Sequence, residues 1–220
     1  TAKNTVVINK GGIVAVDGNP GEVTIGGLDD GTDGGGTFES RGKFRRLELA
    51  GSGNYSFSGT LTGATEPLAL TKSGTGTQIL SGNSDYTGNT LVNRGTLIID
   101  GSLGQTTVTV NEGGTLGGSG AIGGPTTVKS GGILSPGSSS PGTLSFLGNL
   151  TLNNGSKLLF EGGDLVDVGG TLDLDNDWTL VLGSGFQDGG SVVLFQYGEL
   201  AANPDLQPIF DLSGLGFDPS

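Results

Sequence analysis

The sequence contains no cysteine, no methionine and no histidine. Without cysteine, neither a disulfide bond nor a thiolate metal site can form. Without histidine, a Ser-His-Asp triad is impossible, and the Gly-Xaa-Ser-Xaa-Gly motif of a nucleophile elbow is also missing. The lack of oxidisable sulfur suits a protein that works outside the cell.

Basic residues are scarce as well, because 10 Lys and Arg stand against 22 Asp and Glu, for a net charge of -12. This balance argues against nucleic acid as a partner, since phosphate binding depends on basic side chains, and it disfavours anionic membranes. The charge is uneven: four basic residues lie between Arg41 and Arg46, whereas residues 130–220 carry only Lys157 against eleven acids.

The chain has no apolar run of the eighteen or more residues that a membrane span needs. Its first residues, Thr1 to Asn4, do not form a secretory signal. From these two features we expect a mature chain or a fragment, with no membrane span in it.

No window carries a helical pattern over three turns, and the 46 glycines interrupt every candidate. A short phrase recurs instead, made of a branched aliphatic residue, polar residues, one or two glycines and a β-branched residue or serine. It occurs at positions 8–13, 92–97, 110–116, 128–134 and 152–158, and within it Leu97, Leu116 and Leu134 follow one another at nearly equal intervals. Such a recurrence predicts a solenoid whose coils stack to bury a shared core.

One part of the repeat carries a family resemblance. Residues 70–97, with Ser-Gly-Asn-Ser-Asp-Tyr-Thr-Gly-Asn-Thr at 81–90, resemble the passenger-associated β-strand repeat of bacterial autotransporters. Residues 131–144, Gly-Gly-Ile-Leu-Ser-Pro-Gly-Ser-Ser-Ser-Pro-Gly-Thr-Leu, resemble the proline-glycine coil that follows such repeats. The resemblance implies a parallel β-helix that is exported and displayed outside a bacterium, where its roles are adhesion, matrix formation or spacing.

We therefore predict an all-β fold, a right-handed parallel β-helix over residues 1–198 with roughly ten coils and a length of about 50 Å. Residues 26–36 are expected to form a loop excursion. The segment 199–220, rich in proline and aromatic residues, is expected to form an irregular C-terminal cap or an arm that pairs with a neighbouring molecule.

The alternation of apolar residues gives a predicted core, in which Tyr86 and Trp178 are partly buried with their polar atoms near the rim. The predicted core residues are Val6, Ile8, Val14, Leu47, Leu49, Leu80, Leu91, Leu97, Ile99, Val108, Val110, Leu116, Ile133, Leu144, Leu152, Leu158, Val168, Leu172, Leu180 and Leu194.

Two acidic clusters are candidate calcium sites, and no other cofactor is expected. Asp29, Asp30 and Asp33 lie in a glycine-rich stretch, but their spacing is not that of an EF-hand, so a solvated acidic turn is the favoured alternative. Asp173, Asp175 and Asp177 alternate and would share one face of a strand. For them a solvated outer face is the favoured alternative.

The uneven charge and the open ends of a solenoid favour a non-catalytic extracellular or cell-surface protein that joins copies of itself head to tail in a fibre or matrix. The candidate interface residues are Arg41, Lys43, Arg45, Arg46, Phe210 and Phe217. One alternative is a monomeric adhesive passenger that binds surface glycans or neighbouring or host cells. A second is a polysaccharide-cleaving β-helix enzyme, which would need convergent carboxylates.

Overall fold

The computed structural model describes residues 4–16, 21–41, 46–63, 67–137, 140–186 and 192–201, and the regular elements in these ranges are all β-strands. The strands are β1 Val6–Ile8, β2 Ile13–Val16, β3 Glu22–Ile25, β4 Leu28–Asp30, β5 Thr37–Ser40, β6 Arg46–Leu49, β7 Asn54–Phe57, β8 Thr60–Gly63, β9 Ala69–Lys72, β10 Thr77–Leu80, β11 Asn83–Ser84, β12 Thr90–Val92, β13 Gly95–Ile99, β14 Ser102–Leu103, β15 Val108–Val110, β16 Gly114–Gly118, β17 Ala121–Ile122, β18 Thr126–Val128, β19 Ile133–Pro136, β20 Thr143–Phe146, β21 Leu150–Leu152, β22 Lys157–Phe160, β23 Leu165–Leu174, β24 Thr179–Leu182 and β25 Phe195–Leu200.

Neighbouring strands in each sheet are parallel and come from successive turns of the chain. Face 1 is the seven-stranded sheet that runs from β7 through β10, β13, β16, β19 and β22 to β24. Face 2 runs from β11 through β14, β17 and β20 to the first half of β23, and face 3 runs from β3 through β6, β9, β12, β15, β18 and β21 to its second half. The chain cycles through the three faces, so the predicted all-β parallel solenoid is confirmed.

The unbroken sheet of face 1 has seven strands, and face 3 has nine when the second half of β25 is included, fewer than the roughly ten coils predicted. The prediction used the short spacing of the middle coils, in which Thr90 pairs with Val108. Turns are longer towards both ends, where Glu22 pairs with Arg46 and Thr126 with Leu150. Longer turns consume more chain per rung, so fewer rungs are built.

The core consists of inward columns in which one residue from each turn stacks on the next. Most predicted core residues are buried, whereas Val6, Val14, Leu180 and Leu194 are only partly buried. The prediction is wrong for Leu91 and Ile133, because Val92 and Leu134 beside them take the inward positions. The prediction missed Phe38, Phe57, Phe146 and Phe160, which are the largest fully buried side chains apart from Tyr86.

Tyr86 is 1% exposed, so the prediction that its hydroxyl lies near the rim is wrong. Its Oη is 2.8 Å from Oγ1 of Thr90, which lies 2.9 Å from Oγ1 of Thr106. Thr106 in turn donates to the carbonyl oxygen of Gly88. This buried chain of hydroxyl groups satisfies the phenol inside the core. Trp178 is partly buried, as predicted.

One corner of the solenoid is a column of stacked glycines: Gly12, Gly36, Gly59, Gly82, Gly101 and Gly120. A Cβ atom on each glycine from Gly36 onwards would lie 2.0 to 2.2 Å from the carbonyl oxygen of the glycine one turn earlier. Since no side chain fits in that space, the column accounts for part of the high glycine content.

The first turns are separated from the main stack on two of the three faces. Strands β1 and β4 form a two-stranded sheet, and β2, β5 and β8 form a three-stranded sheet, while only face 3 continues without a break. Side chains cross both breaks. The Gln78 carboxamide bonds both N and O of Leu28 at 2.9 Å, and Ser84 Oγ accepts from Leu61 N at 3.1 Å.

The segment 26–36 is not a loop excursion throughout. Its residues Leu28–Asp30 form β4, which pairs in parallel with β1, and Leu28 is fully buried. The glycine and aspartate content suggested a loop, but the pairing with Val6 and the hydrogen bonds from Gln78 hold this stretch in the coil path.

Candidate functional site at the two ends of the solenoid

The first turn leaves one end of the core open. We call this the front end, and it consists of β1, β2 and β3, each with one ladder neighbour in the described residues, namely β4, β5 and β6. Val6, Val14, Val16 and Val23 are only partly buried there. Val7 and Ile13 are 57% and 62% exposed.

The last turn leaves the opposite end open in the described part of the chain. This rear end consists of β24, which pairs with β22, and β25, which pairs with β23. Six apolar side chains that pack against the core there are only partly buried: Trp178, Leu180, Leu182, Phe186, Leu194 and Phe195. Trp178 and Phe195 meet edge to face with ring centroids 5.9 Å apart, and Phe160 and Phe186 stack at 6.5 Å.

These two ends account for all ten partly buried hydrophobic residues that pack on the core in the described part of the chain. Large exposed hydrophobic residues follow the same distribution. Of the nine among the described residues, only Leu147 lies outside the first turn and the last two turns. Within the described residues, the middle of the solenoid therefore covers its own core, whereas the apolar side chains at the two ends remain partly exposed.

The described basic residues of the predicted interface are already paired within the chain. Arg46 begins β6, one turn behind the front edge, and its guanidinium donates to the carboxylate of Glu22. This hydrogen bond raises the pKa of Arg46. Arg41 donates to Glu39, with an N–O distance of 2.6 Å in the ion pair. Lys43, Arg45, Phe210 and Phe217 lie outside the described residues, as does the predicted cap or arm beyond residue 201. Residues 199 and 200 belong to β25.

The rear turns carry the acidic residues Asp173, Asp175 and Asp177. Asp173 lies in β23, opposite Thr151. Asp175 accepts a hydrogen bond from Asn154 N at 2.9 Å, and Asp177 N donates to the Asn154 side chain at 2.9 Å. These contacts build a turn, and in the described ranges no group of three acidic side chains is placed to hold a metal ion.

The other acidic cluster is also spread over the structure. Asp29 and Asp30 lie in β4, and both carboxylate oxygens of Asp30 accept from Ser58 N, at 2.9 and 3.0 Å. Asp33 lies in the turn between Gly31 and Gly34, which form a bridge. Asp30 thus connects β4 by hydrogen bonds to the turn that follows β7.

A lysine in the core was not expected from the sequence. Lys72 is 2% exposed and occupies a column that is otherwise aliphatic, with Leu49 before it and Val92 after it. Its ammonium donates to the carbonyl oxygens of Gly74 and Arg94. Burial lowers the pKa of Lys72 to about 8. The signal that could have revealed it is its position in the inward alternation of β9, two residues after the buried Leu70.

A carboxylate bonded by two hydroxyl groups lies on the outside of face 3. Glu48 accepts hydrogen bonds from Ser73 Oγ at 2.5 Å and from Thr24 Oγ1 at 2.9 Å. The Ser73 bond, followed by the Thr24 bond, lowers the pKa of Glu48. These contacts join three successive turns and give the carboxylate a structural role.

Comparison with known proteins links part of the chain to a family of repeats. No helix in the described residues could span a membrane. A search of the curated proteins found no similar sequence. Residues 70–99 match the family model of the passenger-associated-transport-repeat, so the resemblance to autotransporter passenger repeats is confirmed over that stretch.

Proposed function

We propose that this chain is a non-catalytic, extracellular structural protein whose solenoid stacks head to tail into a fibre or matrix. The observation that carries the proposal is the location of the uncovered core, which lies at the front and rear ends. Open strand edges with apolar columns behind them form new pairs readily with another chain. The passenger repeat at residues 70–99 and the solenoid fold fit an exported, passenger-like domain.

Strand direction and charge both favour contact between unlike ends. Contact between front and rear keeps every strand parallel, as all the ladders of the structure are. Contact between two rear ends would bring together Asp175, Asp177 and Glu199 with their counterparts, in a segment, residues 130–220, that has one basic residue. A contact between unlike ends does not close on itself and therefore grows into a filament.

The second candidate function is that of a monomeric adhesive passenger. It is favoured by the outer column of face 3, where Thr109, Thr127 and Thr151 pair in register. Their side chains repeat at the rung spacing of about 4.8 Å. A row of hydroxyl groups of this kind suits the hydroxyl groups of a surface glycan, and it uses the side of the solenoid rather than its ends.

Sedimentation velocity of the purified chain over a wide concentration range distinguishes head-to-tail stacking from a monomeric adhesive passenger. Head-to-tail stacking predicts a continuous series of species that grows with concentration. A chain that remains monomeric throughout, and that retains glycans on an array, would favour the adhesive passenger.

The non-catalytic part of the proposal needs its own assay. Incubation of the chain with acidic and neutral polysaccharides is expected to give no new reducing ends and no unsaturated products. Turnover that resists repeated purification would support the polysaccharide-cleaving alternative instead.

A further inference from the structure

Three inward columns of the solenoid, one on each face, begin and end in an apolar residue. On face 1, Val6 pairs with Leu28, and Tyr55 on the following strand β7 pairs with Gln78, whose side chain bonds back to Leu28. From Gln78 the column continues through Leu97, Leu116, Leu134 and Leu158 to Leu180. Val6 and Leu180 are therefore the two ends of one column, and both are partly buried.

Face 2 and face 3 have the same property. The face 2 column begins at Val14 and ends at Tyr197, which pairs with the buried Val168. The face 3 column begins at Val23 and ends at Leu200, which pairs with Leu172. Tyr197 and Leu200 are 46% and 41% exposed, so both lack a neighbour on the rear side in the described residues.

We propose that the rear end of one copy receives the front end of the next with β24 pairing to β1, so that Leu180 is followed by Val6, Tyr197 by Val14 and Leu200 by Val23. This inference rests on the proposed head-to-tail function and adds the strand partners and the register. It continues each column with an apolar residue and leaves no rung vacant at the junction.

The register also decides what meets on the outside of the junction. If Val6 follows Leu180, then Val7 follows Val181, and these two outward side chains are 57% and 39% exposed in the single chain. Val181 already stacks on Leu159, which is 38% exposed. The junction would therefore cover an exposed valine on each partner. A register shifted by one side-chain repeat would place Val7 over Thr179 and leave Val181 uncovered.

Cysteine crosslinking tests this register, because the chain has no cysteine of its own. In the double variant Val7→Cys/Val181→Cys, adjacent rungs bring the two Cα atoms of neighbouring copies to about 4.8 Å, within the range of a disulfide. In the control Val7→Cys/Thr179→Cys, the displacement along the strand separates them by about 8 Å, which is too far. The three substituted positions, Val7, Thr179 and Val181, are exposed, and thermal melting of the reduced variants checks that they fold.

Mild oxidation of the Val7→Cys/Val181→Cys variant is expected to give covalent dimers and a series of larger oligomers. The Val7→Cys/Thr179→Cys variant is expected to give none of these products. Equal or stronger crosslinking of the Val7→Cys/Thr179→Cys variant overturns the register. If the unmodified chain assembles by sedimentation but neither variant crosslinks, the β24–β1 junction is wrong while stacking stands. If the unmodified chain stays monomeric, because another segment or partner covers the ends, both the junction and the proposed function fall.

Discussion

At the scale of single residues, the stacked glycines have the least freedom. A Cβ atom at Gly101 would lie 2.2 Å from the carbonyl oxygen of Gly82, so Gly101→Ala must move backbone in two turns. We expect a loss of about 3 kcal/mol in the free energy of unfolding, as for overpacked cores. The control is Gly169→Ala, because nothing lies within 3.6 Å of its Cβ position, and it should change stability by no more than about 0.5 kcal/mol. Urea unfolding of both variants measures the difference, and equal losses would contradict the account of the corner.

Two threonines in one inward column of face 3 should respond in opposite directions to the same substitution. Thr126 is 1% exposed and its hydroxyl has no hydrogen-bond partner, so Thr126→Val should stabilise the chain by about 1 kcal/mol. Thr90→Val instead removes the partner of Tyr86 and Thr106 and should cost about 1–3 kcal/mol. Thermal melting compares the two variants. A melting temperature that falls in both would mean that the Thr126 hydroxyl is satisfied in solution.

The buried Lys72 should make the stability of the folded chain depend on pH. Its pKa is lowered to about 8 in the folded chain, against about 10.4 when unfolded. Between those values the unfolded chain binds more protons, so stability should rise with pH from 8 towards 10, by at most about 1.4 kcal/mol per pH unit. Burial raises the pKa of the Tyr86 hydroxyl. Above pH 10, where an unfolded tyrosine loses its proton, Tyr86 therefore lowers the stability and opposes the effect of Lys72.

Lys72→Met isolates the lysine contribution, because Tyr86 is present in both proteins. Denaturant unfolding at pH 8, 9 and 10 should show a rise for the unaltered chain that the variant lacks. A rise of the same size in both would show that the ammonium is not desolvated.

At the scale of elements, we expect the joint between the first turns and the main stack to open before the rest of the described fold. Two of the three faces break there, and Gln78 replaces ladder bonds with its side chain. Gln78→Leu should therefore speed amide exchange in β4, at Leu28 above all, and leave the β13–β16 ladder protected. Gln105→Leu, at an exposed position, is the control. Exchange that accelerates equally along the whole chain would show that the first turns do not open separately.

The same level shows what the sequence could and could not predict. The coils around Leu97 and Leu116 were predictable because their phrase repeats at nearly constant spacing. The strand at Leu28 was not, because it depends on Val6 in the preceding turn and on Gln78 two turns further on. The inward position of Lys72 was missed for a related reason. A pattern of residue types does not show which polar group finds carbonyl oxygens in a neighbouring turn.

The candidate site divides in the same way. Open ends follow from any solenoid, so they could be expected from the repeat alone. The charged contacts expected at the interface could not be judged from sequence, because Arg41 and Arg46 pair with Glu39 and Glu22, and the Glu22 partner belongs to the preceding turn. The apolar ends of the three columns carry the site instead.

At the scale of the whole molecule, the described part of the solenoid buries its apolar columns in the middle and leaves them partly exposed at its two ends. Because its strands are all parallel, one copy can continue the ladder of another without a change of direction. Under the proposed head-to-tail contact, growth runs along one axis.

Electron microscopy of the concentrated, purified chain tests this central claim most directly. The account predicts unbranched filaments one solenoid wide, with lengths that increase as the protein concentration rises. Uniform particles with the length of a single solenoid at every concentration would contradict it.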